Sequence, residues 1–269
     1  LSLHDALPIL SMNASEFIYG SLHLFDPILN AEFSPQGIAL RQFSSRWEGG
    51  MVRTSGNWLR AGKRLQLDEV AMAALEYTLP SDWRELWLKP LPDWLAEVYV
   101  TKLTTNRNLI IDINPAFPFQ ITALDGYGSN LLLARDRQWG IWSGSLNLNG
   151  SEATFNKIDV RRPSLALNAD ANQINVTELS AFMPNGLLEA KATVDQLPGK
   201  PFQLTLHGRS VPINTLQQWG WQPVPLTGDG NLELQLKGLL NSDGPFKASL
   251  KGNLQATAGD GQAVNQQLP

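Results

Sequence analysis

Gly230-Asn231-Leu232-Glu233-Leu234-Gln235-Leu236-Lys237-Gly238 alternates leucine with polar or charged residues between two glycines. Successive side chains of a strand point to opposite faces, so this stretch predicts a strand with one oily and one wet face. Upstream, Phe202-Gln203-Leu204-Thr205-Leu206-His207 has the same alternation. Residues 213–219, between the two, predict one or two helical turns. A further strand is expected over 246–250, with Leu254 beyond it. The oily face needs a partner, because apolar surface left in water is unfavourable. A second sheet, a helix layer, a bilayer or a lipid would each serve, and which one it finds decides the function.

Outward from this stretch the chain reads as short strands punctuated by Gly, Asn, Asp, Ser and Pro. Strands are predicted over 16–19, 21–25, 27–33, 38–43, 51–58, 65–67 and 70–77. They resume over 97–104, 109–113, 119–124, 129–135, 140–148, 153–158, 164–169, 173–176 and 187–194. Between the two sets, residues 81–88 predict a helix with Ser81 as N-cap, Trp83 and Leu86 on one face and Pro90 as the stop. A second short helix is predicted over 92–96. Helices this short are not stable alone, so both are expected to lie on the sheet as a lid or end cap. An open twisted sheet rarely exceeds about ten strands without curling. The fold class is therefore mainly β: an elongated, curled antiparallel sheet or groove with one or two short helices.

One internal repeat is visible. Ile38, Leu40, Phe43, Trp47, Gly50 and Met51 correspond without a gap to Ile174, Val176, Leu179, Met183, Gly186 and Leu187. Repeats of this kind predict an array whose units bury apolar faces against their neighbours. The opening Leu1-Ser2-Leu3-His4-Asp5-Ala6-Leu7-Pro8-Ile9 is unlike everything after it. Residues 1–10 are read as a non-native leader, residues 11–258 as the β region with any division near 80–97, and residues 259–269 as a disordered tail, being polar and aperiodic.

The 269-residue chain carries a net charge of −4 with its Lys and Arg scattered, so nucleic-acid binding has no electrostatic footprint. It holds no cysteine, which excludes disulfides and Cys-based zinc sites. No window approaches the apolar length of a membrane-spanning helix. Its three histidines, His4, His23 and His207, show no metal-ligand spacing, and the glycines form neither GxGxxG nor a P-loop. Nine Trp in a β protein raise the possibility of a glycan-processing enzyme. The best carboxylates for one are Asp68 with Glu69, and Glu48 beside Trp47, yet an acid–base pair must share one cleft. Neighbours on a strand face opposite ways, so solvated strand-edge charges explain these residues more simply. Arg161-Arg162-Pro163 is the one paired basic spot, read as an edge-protecting charge or, as the alternative, a docking point for a lipid phosphate or a partner.

Gly208-Arg209-Ser210-Val211-Pro212-Ile213-Asn214-Thr215-Leu216-Gln217-Gln218-Trp219 and Leu226-Thr227-Gly228-Asp229-Gly230-Asn231-Leu232 onward resemble the C-terminal region of the bacterial AsmA family. Arg107-Asn108-Leu109-Ile110-Ile111-Asp112-Ile113 and Val160-Arg161-Arg162-Pro163-Ser164-Leu165-Ala166-Leu167 look like one member of it in particular. The resemblance implies a periplasmic protein attached to the inner membrane through an N-terminal helix that this chain lacks. It also implies a repeating β groove linked to phospholipid transport, outer-membrane biogenesis and protein targeting to the membrane. The family offers no catalytic residues to carry over, so neither enzymatic activity nor a cofactor is expected.

The expected partners are phospholipid acyl chains, the inner membrane and envelope proteins. The groove is expected to be lined by Leu165, Leu167, Leu204, Leu206, Leu232, Leu234 and Leu236, with Leu234→Asp abolishing lipid binding. The alternative is a structural envelope-assembly module in which the same face is sealed by protein.

Overall fold

The computed structural model describes residues 8–242 and 246–268. The protein is mainly β, as expected, and divides into two compact units. Unit 1 takes the chain as far as Tyr77, then Asp82–Ile110 and Leu124–Ser145; unit 2 takes Thr78–Ser81, Ile111–Ala123 and everything from Leu146.

In unit 1, β1 (Ile9–Asn13) and β2 (Glu16–Tyr19) both pair with β3 (Leu22–Ser34), which pairs with β4 (Gly37–Trp47), then β5 (Gly50–Leu59) and β6 (Arg64–Ala73), all antiparallel. After β7 (Glu76–Thr78) and helix α1 (Trp83–Leu88), β8 (Glu97–Asp112) pairs with β6 in parallel. This departs from the all-antiparallel expectation. The 83–96 crossover returns the chain to the end of the sheet where β6 began, which is what a parallel pair requires. β9 (Phe119–Arg135) and β10 (Gln138–Asn149) follow, and with β8 they contribute residues to both units.

In unit 2, β11 (Glu152–Phe155), β12 (Ile158–Ala169), β13 (Gln173–Met183), β14 (Gly186–Asp195), β15 (Pro201–Pro212), β16 (Asp229–Leu239), β17 (Lys251–Ala258) and β18 (Ala263–Leu268) form an antiparallel meander. Helix α2 (Thr215–Gln218) lies between β15 and β16.

The repeat read from fourteen positions extends through four strands. β2, β4 and β5 correspond residue for residue to β11, β13 and β14 at one offset, that of Gly50 to Gly186, and β3 corresponds to β12 to within one residue. The irregularities are copied too. Register shifts at Phe25/Ile28 and Asn30/Ala31 recur at Arg161/Ser164 and Ala166/Leu167, and the shift at Leu40/Phe43 recurs at Val176/Leu179. Asp26 (φ 50°) and Arg162 (φ 49°) take the same left-handed backbone, each followed by proline. Proline has no N–H to donate, and within a sheet it is accommodated at a bulge. Pro27 therefore kinks a strand that the sequence suggested it would break, and Arg161-Arg162-Pro163 is the second copy of this bulge. A Cβ on Gly50 would lie 2.2 Å from the Ala73 carbonyl oxygen, and one on Gly186 would lie 2.1 Å from that of Arg209, the equivalent residue.

Several sequence expectations are corrected. Residues 259–268 are not a disordered tail: β18 pairs with β17, because Val264 and Leu268 reach the core while Asn265 and Gln267 face water, and residue 269 lies outside the described residues. Residues 246–250 are not a strand: Phe246–Ser249 form a 3-10 turn, the Leu239 N–H donates to Ser249 Oγ at 3.1 Å, and the strand begins at Lys251. Residues 92–96 are not helical: they form a turn that drops Leu91 and Leu95 into the core between two backbone hydrogen bonds, Leu91 N–H to Arg137 O and Ala96 N–H to Lys63 O. Helix α1 begins after Asp82 rather than after Ser81. Of the supposed leader, Ile9 and Leu10 are part of β1, opposite Glu32 and Ala31, and residues 1–7 lie outside the described residues.

The 170–173 turn between β12 and β13 is closed by the Asp170 carboxylate, which accepts the backbone N–H groups of Asn172 and Gln173 at 2.8 and 3.0 Å. These bonds, Gln173 first, hold its pKa below the ordinary carboxylate value. A group lowered in the folded state stabilises the fold above its unfolded pKa, and that contribution disappears as pH falls through the folded pKa. Urea midpoints are accordingly expected to separate wild type from Asp170→Asn above pH ~4 and to converge in more acid solution. Gly186→Ala is expected to destabilise unit 2 by about 1–3 kcal/mol in urea denaturation, because the new methyl meets backbone that cannot move aside.

Candidate functional site

The seven leucines singled out by sequence share one face of unit 2. Leu165 pairs with Leu179 and Leu167 with Val176 across β12–β13, and Leu179 pairs with Ala190 across β13–β14. Ala190 then stands opposite Leu206, Leu206 opposite Leu234, and Leu234 opposite Leu254. Leu204 opposes Leu236 one step along. Side chains directly opposite on one face touch, so the apolar stripe is continuous from β12 to β17.

The structure covers this stripe unevenly. Leu167, Leu232 and Leu234 are buried, whereas Leu165, Leu204, Leu206 and Leu236 are only half-buried. The cover over Leu232 and Leu234 is residues 213–226, a strap that sequence suggested only as a short helix. Ile213, Leu216, Trp221 and Leu226 pack with Leu188, Leu232, Leu234 and Leu254 in one core. Polar bonds pin the middle of the strap to β11 and β18: Trp219 Nε1 donates to the Phe155 carbonyl at 2.9 Å, and Trp221 Nε1 donates to Gln266 Oε1 at 3.0 Å. Buried indole N–H groups need such partners. The sequence signal for the strap was two tryptophans close together among prolines 212, 223 and 225.

Unit 1 repeats this face. Leu29, Ala31, Ile38, Leu40, Phe43 and Val52 occupy the places of Leu165, Leu167, Ile174, Val176, Leu179 and Leu188. All six positions are apolar in both copies. In unit 1 only Ala31 among them is buried.

The opposite face of unit 2 carries an open cleft of about 1080 Å³ of mixed character, bordered by Arg162, Glu178, Lys191 and His207 but also by Phe182 and Leu187. His207 stands opposite Glu189 on this wet side. The carboxylates considered for glycan chemistry are separated by role. Asp68 is the extra residue of a bulge between Ser55/Gly56 partners, Glu69 is ion-paired to Arg53 at 3.1 Å, and Glu48 sits in the β4–β5 turn with φ 49°. Among the described residues no cluster of His, Asp and Glu could hold a metal, and no helix is long and apolar enough to cross a membrane.

One feature of the strap is locally unfavourable. Thr215 is 1% exposed and its Oγ1 has no hydrogen-bond partner among the described residues. A buried orphan hydroxyl costs about 1–3 kcal/mol, while an apolar replacement of the same shape leaves nothing unpaired. Thr215→Val is therefore expected to raise the urea midpoint, and Leu254→Ala, at the centre of the same core, to lower stability by about 2–5 kcal/mol.

Comparison with known proteins accords with this architecture. The model of the AsmA family matches residues 30–267. The AsmA family protein YicH of Escherichia coli (strain K12) is 60% identical over 259 residues, which is 96% of this chain and 46% of that protein. The chain thus spans about half the length of the curated relative it matches. No solved structure matches.

Proposed function

The chain belongs to the AsmA family, and from that premise we propose that it is a lipid-binding β module of the bacterial cell envelope. It works on the periplasmic side of the inner membrane, to which the longer protein is attached, in phospholipid transport to the outer membrane and in the control of protein targeting to the membrane.

One observation carries the reading: an apolar stripe held in register across six strands, sealed by the strap at Leu232 and Leu234 and left half-open at Leu165, Leu204, Leu206 and Leu236. Transfer of a CH₂ group out of water is worth about 0.8 kcal/mol, so a whole acyl chain gains on the order of 10 kcal/mol along a dry stripe. Interrupted apolar patches would return only a fraction of that. Continuity of the stripe is thus the physical requirement, and the ladder register supplies it. Its repetition in unit 1, where most of the equivalent residues are half-exposed, fits a surface that recurs along the chain because it is used repeatedly.

The structure also changes which residue tests the idea. Leu234 lies beneath the strap, so an aspartate there would break the core before it reported on lipid. Leu204 and Leu236 are the informative pair, being paired on the open part of the stripe. The 269-residue protein is expected to carry phospholipid in native mass spectrometry. The Leu204→Asp/Leu236→Asp variant is expected to lose that lipid while keeping its β circular-dichroism spectrum. Lipid-free wild type, or an unchanged lipid load in the variant, would favour the envelope-assembly module instead.

A further inference from the structure

Helix α1 and the turn after it present a second apolar surface in unit 1, one that involves none of the seven leucines of the unit 2 stripe. None of the α1 residues is buried. Trp87 is 41% exposed, Leu88 46% and Trp94 59%, with Leu86 also exposed. These side chains are not waiting for a core, because the segment already has one: Leu91 and Leu95 are buried with Val98 and Ala134, against Trp58 and Trp139. The backbone is fixed as well. Trp58 Nε1 donates to the Trp94 carbonyl at 3.1 Å, the Ala96 N–H donates to the Lys63 carbonyl at 2.8 Å, and Trp87 stacks on Trp139 with ring centroids 6.3 Å apart. One set of apolar residues anchors the segment inward and a second set is held outward.

The charges around the outward set identify its partner. Arg60, Lys63, Arg84 and Lys89 are exposed around it, against Asp82, Glu85 and, next to Arg137, Asp136. Asp93 is matched by Arg137 at 3.2 Å. Cations therefore predominate locally although the chain as a whole is at −4. Tryptophan settles at bilayer interfaces, where its ring is shielded and its N–H stays wet, leucine reaches the acyl boundary, and Lys and Arg meet anionic headgroups. A rigid protrusion of two tryptophans and a leucine with a cationic rim suits a charged lipid surface. We propose that this end of unit 1 docks on an anionic phospholipid bilayer, with Trp87, Leu88 and Trp94 at headgroup depth and Lys63 and Lys89 against lipid phosphates.

None of the seven stripe leucines takes part, so the docking surface stands independently of the acyl-chain reading. The test is co-sedimentation of the purified 269-residue chain with vesicles of phosphatidylethanolamine plus phosphatidylglycerol, and with vesicles of phosphatidylcholine alone. Wild type is expected to pellet with the anionic vesicles and far less with the neutral ones. Leu88→Ser/Trp94→Ser removes exposed side chains only, and is expected to weaken partitioning about tenfold or more. Lys63→Glu/Lys89→Glu is expected to weaken it at low salt, with the difference fading as salt screens the charges. Lipid co-purification is expected to be unchanged in both variants, which separates failure of this surface from failure of the stripe. Binding to neither vesicle, equal binding to both, or wild-type partitioning of either variant overturns the proposal.

Discussion

The backbone ladder register is the constraint on which everything else in this protein rests. A strand that slips by one residue turns every side chain to the other face, so the apolar stripe exists only while each strand holds its alignment. The bulges maintain it. In β4 the apolar residues run Ile38, Leu40 and then Phe43, a break in alternation that would put Phe43 on the wet side of a regular strand. The extra residue between Leu40 and Phe43, counted against Gly56 and Thr54, returns it to the apolar face. β13 does the same with Ile174, Val176 and Leu179. Two copies of one solution at one offset argue that the bulges belong to the design of the face.

Once the register is set, the question is how the face is shielded. Unit 2 shields part of it with the 213–226 strap, whose two central tryptophans bond to Phe155 on β11 and Gln266 on β18. Those bonds let a segment with little secondary structure lie across buried leucines without leaving indole N–H groups unpaired. Thr215 is the local exception. The uncovered remainder of the stripe and the equivalent face of unit 1 stay half-exposed, and a continuous half-exposed apolar surface is the usual mark of something that binds. The outward tryptophans near α1 follow the same reasoning on a smaller scale. Their neighbours Leu91 and Leu95 already satisfy the local core, so the surplus apolar area faces outward.

Much of this was legible from residue order. Period-two alternation located most strands, Gly50 and Gly186 marked the repeat, and the leucines of β15 and β16 were placed on one face before any pairing was known. Legibility failed where a non-local partner decides the outcome. The stretch from Gly259 reads as polar and aperiodic in isolation, yet Ala263 to Leu268 becomes a strand because β17 offers an unpaired edge and Val264 and Leu268 pack against the core. Residues 246–250 alternate apolar and polar as a strand would, yet residues 246–249 form a turn tied to the end of β16. The parallel β6–β8 pair was hidden because its cause is the path of the crossover, which no local pattern encodes.

By itself the sequence determined the β class, the two-faced strands and the internal duplication, since each depends on residue spacing along one chain and on the opposite pointing of successive side chains. Only the tertiary structure decided which leucines are sealed and which stay open. That depends on Trp219 and Trp221 reaching strands many residues away, and burial is a property of what arrives from elsewhere in the fold. Leu234 and Leu236 have the same alternating neighbours in sequence; one is buried under the strap and the other is half-buried at its edge, near Trp221, and only three dimensions distinguish them.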